Sequence, residues 1–136
     1  MIFVDASAMI AFMADEAEAD AFSDILEREA VRLCSAVSVW ETLAGLSRVF
    51  GIPAASGLGR VARFLGVGGF RYVDIGANEC RIALEAFQRF GKGHHPARLN
   101  MGDCFAYACT QVSQAKLLYK GQDFARTDVK AVFAAH

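Results

Sequence analysis

"MIFVDASAMIAFM", residues 1–13, decides the fold class. It opens on a short apolar run that ends in an acid, Asp5. Small and apolar residues follow, opened by Ser7, which reads as the cap of a helix. The stretch is therefore a strand, then a helix, with a carboxylate at the junction.

The same unit recurs along the chain. Residues 16–30 carry Phe22, Ile25 and Leu26 at helical spacing with acids outside, and residues 31–35 form a second short strand. Over residues 37–50, Val39, Leu43, Leu46 and Phe50 share one helical face until Gly51 and Pro53 end it. A glycine-interrupted helix at 54–65 leads to a strand at 70–75, rich in aromatic and β-branched residues. A helix at 78–90 and the loop GKGHHPARLN precede a helix at 101–115, whose core stripe is Met101, Phe105, Ala108 and Val112. Strands at 116–119 and 130–134 complete the pattern. Strands alternating with helices predict an α/β sandwich around a mostly parallel sheet, since parallel neighbours need crossovers.

The length of 136 residues fits a single domain, 1–136, with a sizeable core, and 54% hydrophobic content excludes disorder. A net charge of −1 excludes a broadly basic nucleic-acid binder, so any such binding uses a local patch. No apolar run approaches the roughly 20 residues of a membrane span. The first residues lack a basic flank and are interrupted by Asp5, unlike a signal peptide. The expectation is a cytoplasmic protein with no membrane contact. Cys34, Cys80, Cys104 and Cys109 form no C-x-x-C pair and read as buried reduced thiols, while His94 and His95 read as a solvated loop.

Two constellations invite chemistry. Gly57, Gly59 and Ala62 satisfy G-x-G-x-x-A, but no strand precedes them to deliver a phosphate to a helix start, so helix packing explains them better. The second is a set of acids, Asp5, Glu41, Asp103 and Asp123, that end strands or break apolar patterns. Singly, each has an ordinary reading as a cap, a turn or a solvated position. Together in one partly desolvated pocket they would resist ionising unless a cation neutralised them. All-oxygen ligands suit Mg²⁺ or Mn²⁺, which can activate a water toward a phosphodiester.

"MIFVDASAMIAFM", "SVWETLAGL", "LNMGDCFAYACTQ" and "LLYKGQDFARTDV" together make the chain resemble the PIN-domain ribonucleases, specifically the VapC-type toxins of bacterial toxin–antitoxin pairs. The resemblance implies a three-layer α/β/α sandwich and a Mg²⁺- or Mn²⁺-dependent endoribonuclease leaving a 5′-phosphate and a 3′-hydroxyl. It implies Asp5, Glu41, Asp103 and Asp123 as catalytic, metal-binding acids, with Ser7 supporting the first acid and Asn100 holding that acid in place. Asp128 is read as capping local structure. A homodimer and a VapB-like antitoxin, whose C-terminal segment fills the groove and blocks the acids, are implied as well.

An acidic site needs cationic help to hold RNA, and Lys92 and Arg98, in the loop before the third acid, are the expected source. Arg60 and Arg63, one helical turn apart, are a weaker pair. Two other classes stay open at this point. One is a catalytically silent module of the same fold that binds RNA or a partner protein. The other is a phospho-acceptor receiver, for which Lys120 could serve but the acceptor strand is missing, because Asp74 lacks its companions.

Overall fold

The computed structural model describes residues 1–132. Strands β1 (Ile2–Val4), β2 (Arg32–Cys34), β3 (Arg71–Tyr72), β4 (Lys116–Leu118) and β5 (Ala131–Val132) form one sheet in the order β3-β2-β1-β4-β5. Every described pairing is parallel, with Ile2 of the central strand opposite Arg32 on one side and Lys116 on the other. Helices supply the crossovers. Helices α1 (Ala6–Met13) and α2 (Ala19–Arg28) join β1 to β2, α3 (Ala36–Phe50) and α4 (Leu58–Val67) join β2 to β3, and α5 (Ala77–Phe90) and α6 (Met101–Val112) join β3 to β4.

Side chains of a strand alternate between faces, and this sorts the core into two halves. Phe3, Leu33 and Leu117 point toward α5 and α6, where they meet Ala83, Phe90 and Tyr107. Ile2, Val4, Cys34 and Leu118 point the other way, onto Met9 of α1, Phe22 and Ile25 of α2, and Val61 and Leu65 of α4. The result is the expected three-layer α/β/α sandwich around a parallel sheet. Complete burial of Phe3, Ile2 and Leu117 stabilises the fold by roughly 1.5–3 kcal/mol each. Helix α3 touches α1 and also α6. Its approach to α1 is close, because a Cβ on Gly45 would overlap the Ile10 side chain.

Several local expectations are corrected. The cap of α1 is Asp5, whose carboxylate accepts the Ser7 N–H, so Ser7 lies inside the helix and not at its cap. The strand expected at 70–75 pairs only over Arg71–Tyr72, extended by a bond from the Val73 N–H to the Cys34 carbonyl. Residues 54–57 wind as a 3-10 turn before α4 begins. The strand expected at 130–134 is seen as Ala131–Val132, and residues 133–134 lie outside the described residues. In α6, Met101 is 65% exposed, while Gly102, Cys104 and residues 106–110 are buried. That helix is covered on most of its circumference, so a single stripe cannot describe it. Cys80 is exposed, whereas the other three thiols are free and buried as expected.

Candidate active site

The strand order reverses at β1: the chain builds outward to β3, then returns to place β4 on the other side. In open α/β sheets a crevice forms at such a point, at the carboxyl ends of the diverging strands. Here those ends belong to β1 and β4, and Asp5 is the first residue beyond β1.

Asp5 is fixed from three directions. Its N–H donates to the Leu118 carbonyl at 2.9 Å, and its Oδ2 accepts the Ser7 N–H at 3.0 Å and the Ser7 Oγ–H at 2.6 Å. Ser7 Oγ in turn accepts the Lys120 N–H at 3.0 Å, which buckles the end of β4 to the end of β1. Ser7 therefore supports the first acid, as expected. Burial pushes the Asp5 carboxyl above its ordinary range, the Ser7 bonds pull it back, and the charge of Asp123 raises it further.

Glu41 stands on α3, whose start is fixed by a capping box between Ser35 and Ser38. Its carboxyl lies directly over the Cα of Gly102, where any Cβ would overlap it. Asp103, one residue on, is the third residue of α6 and part of that helix's capping box. The Asp103 N–H donates to Asn100 Oδ1 at 2.9 Å, and Asp103 Oδ2 accepts the Asn100 N–H at 3.1 Å. Burial foremost, then the charges of Asp5 and Asp103, pushes Glu41 up to about 7. Burial, with the charges of Asp5 and Asp123, likewise pushes Asp103 up to about 7, against the bond from Asn100.

The four predicted acids thus lie within electrostatic reach of one another in a chain of pairs: Asp5 and Asp103 act on Glu41, and Asp123 acts on Asp5 and Asp103. Asp123 lies within the β4–β5 connection, exposed at the start of the 3-10 turn Phe124–Arg126. Asn100 is corrected: it holds the third acid, not the first, because a capping side chain reaches only its own first turn. Asp128 belongs to a different cluster, accepting the Tyr107 hydroxyl at 2.6 Å and pairing with Arg89 at 2.9 Å. It ties α5 and α6 to the segment before β5, consistent with a local structural role.

Lys92 and Arg98 are exposed on the loop leading into α6, which is pinned by a bond from the Lys92 N–H to the Leu99 carbonyl. Neither appears among the charges that shift Asp5, Glu41 and Asp103; the cation that does is Arg48 on α3, which draws Glu41 downward. Arg48 and Gly102 escaped the sequence reading. The spacing of Glu41, Gly45 and Arg48, positions i, i+4 and i+7 of one helix, was the available signal. Arg60 and Arg63 edge a cavity of about 710 Å³ lined by Phe12, Leu26, Phe64 and Phe70, at some remove from this chemistry. Gly57 to Ala62 span the junction of the 3-10 turn and α4, with no strand before them.

The donor set is entirely oxygen, which suits a hard divalent cation. The space over Gly102 that admits the Glu41 carboxyl is consistent with that use. Among the described residues no three side chains close into a ready-made ligand cage. Mg²⁺ is typically held by one or two carboxylates and otherwise keeps its waters, so the looser arrangement fits it.

The profile of the PIN domain matches residues 2–130. The chain belongs to the PIN domain family. Within it, ribonuclease VapC30 of Mycobacterium tuberculosis is 36% identical over 129 residues, covering 95% of this chain and 96% of that protein. Solved structures share this PIN fold, among them a toxin–antitoxin complex from Klebsiella pneumoniae, with a TM-score of 0.69 at 14% identity over 97% of each chain. VapC20 of Mycobacterium tuberculosis, described as a toxin cleaving the sarcin–ricin loop, superposes with a TM-score of 0.75 at 21% identity over 97% of this chain and 98% of its own. VapBC2 of Rickettsia felis, bound to a promoter DNA fragment, gives 0.71 at 13% identity over 96% of each chain. No helix among the described residues of this PIN domain is long and apolar enough to cross a membrane.

Proposed function

We propose that this PIN domain is a metal-dependent endoribonuclease, the toxin of a toxin–antitoxin pair. One observation carries the reading: carboxylates from four separate segments, Asp5, Glu41, Asp103 and Asp123, come within electrostatic reach of one another beyond the carboxyl ends of β1 and β4. The name of VapC30, a ribonuclease at 36% identity over nearly the whole chain, supports the activity class.

Asp5, Glu41, Asp103 and Asp123 would hold Mg²⁺ or Mn²⁺. Bound there, the cation supplies positive charge against the phosphate and a water acidified enough to attack it. Ser7 holds the Asp5 carboxylate in one orientation, the backbone N–H of Asn100 does the same for the Asp103 carboxylate, and Gly102 leaves room for Glu41. In the reaction the water oxygen bonds to phosphorus, the bond from phosphorus to the 3′ oxygen breaks, and that oxygen leaves with a proton. The products are a 5′-phosphate and a 3′-hydroxyl. Lys92 and Arg98 are proposed to steady the RNA backbone beside the site.

An antitoxin partner is part of the same reading, supported by the toxin–antitoxin complexes that share the fold. The apolar cavity edged by Arg60 and Arg63 gives such a protein a surface to occupy. Trp40, 67% exposed, and Met101, 65% exposed, flank the acids and favour a homodimer that covers them. The function is tested by incubating the purified chain with RNA. Cleavage should require Mg²⁺ or Mn²⁺ and vanish in Asp103→Asn with folding intact. Cleavage that survives both chelation and the substitution would overturn the proposal, while RNA binding without cleavage would favour the silent module.

A further inference from the structure

Four carboxylates in one crevice repel a polyanion, and a single divalent cation offsets only part of their charge when all are ionised. A site that cuts RNA there needs a cation turned toward the phosphates beside the scissile one. Arg48 follows Glu41 by seven residues on α3, two turns on and on the same face. Gly45 lies between them with no side chain of its own, and a guanidinium nitrogen of Arg48 stands 3.9 Å from where a Gly45 Cβ would be. The side chain thus runs back along α3, in the direction helical side chains lean, toward Glu41. The downward pull of Arg48 on the Glu41 carboxyl agrees with that path.

The guanidinium is also uncommitted. Arg48 is exposed and, among the described residues, enters no ion pair and donates no side-chain hydrogen bond. Arg32, Arg81 and Arg89, by contrast, are engaged, on the carbonyls of Leu26 and Gly68, on Glu85 and on Asp128 respectively. We infer that Arg48 is a substrate-binding residue, whose guanidinium takes the RNA backbone phosphate next to the one presented to the four acids. The inference rests on the endoribonuclease reading and adds a residue to it. A planar guanidinium offers two parallel N–H donors to phosphate oxygens, which an ammonium cannot match.

The test compares wild type, Arg48→Gln and Arg48→Lys in steady-state cleavage of a fluorescent oligoribonucleotide with Mn²⁺. Binding is read by anisotropy across a salt series in the cleavage-silent Asp103→Asn background. Arg48→Gln should raise KM roughly tenfold, leave kcat within about twofold, and reduce the slope of log affinity against log salt by about 0.7, one phosphate contact on a single strand. Arg48→Lys should recover the salt slope and part of the affinity. Unchanged KM and slope would overturn the inference, and so would a loss of kcat at constant KM, which would assign Arg48 to Glu41 alone. A wild type that neither binds nor cleaves RNA defeats the proposed function and this inference together. A wild type that cleaves while remaining indifferent to Arg48→Gln defeats this inference only.

Discussion

Gly102 carries no functional group, yet it fixes where Glu41 stands, because the Glu41 carboxyl occupies the space a side chain would take. Gly102→Ala is therefore expected to displace that carboxyl and reduce RNA cleavage by roughly 100-fold, with far-ultraviolet circular dichroism unchanged. Asp103→Asn removes one of the charges that crowd the site, and should raise the metal-free melting temperature by a few degrees at about pH 8 while abolishing cleavage. The acids were legible in the sequence because a carboxylate interrupts an apolar pattern. Gly102 and Arg48 were not, since their meaning arises only when α6 docks against α3 and when a side chain folds back along its own helix.

Among the elements, α6 concentrates both the clearest and the most misleading signals. Its N-terminus was visible in "LNMGD", and the capping box between Asn100 and Asp103 shows why that pair belongs together. Asn100→Ala should cost about 1 kcal/mol in a denaturant titration, because the Asp103 N–H loses its acceptor at the start of the helix, while the Asn100 N–H that holds the Asp103 carboxylate is kept. The buried face was misread. A stripe through Met101 assumes one covered side, but α6 contacts the sheet, α3 and α5. Asp128 provides the contrast within the same helix packing: it joins Tyr107 and Arg89 and is not among the charges that shift Asp5, Glu41 or Asp103. Asp128→Asn is expected to cost about 1 kcal/mol of stability and leave kcat unchanged, whereas loss of divalent-ion dependence would place it at the metal.

For the molecule as a whole, the alternation of strands and helices was enough to predict the layers, because each parallel pairing requires a helical return over the sheet. The exact extent of β3 and β5 was not, since short edge strands are set by pairing partners and not by their own composition. The assembled site also makes stability depend on pH in an unusual direction. Glu41 and Asp103 titrate near 7 in the folded chain, above their ordinary values of 4.5 and 3.8. Between those limits the folded state holds protons that the unfolded state has released, so this contribution to stability falls as pH rises and is gone above about 7. Raising the pH from about 5 to about 8 should therefore lower the melting temperature of the metal-free protein. Millimolar Mn²⁺ should restore it at the higher pH, since a ligand bound only by the folded chain stabilises that state.

The placement of β4 beside β1 has a consequence for when the protein can act. Synthesis proceeds from the amino terminus, so Asp5, Glu41 and Asp103 all emerge before the strand that closes their crevice and before Asp123. A ribosome-bound chain stopped ahead of β4 holds most of the acids and no cleft in which to use them. The crevice is thus complete only once β4 has paired with β1 and the segment carrying Asp123 has followed it out.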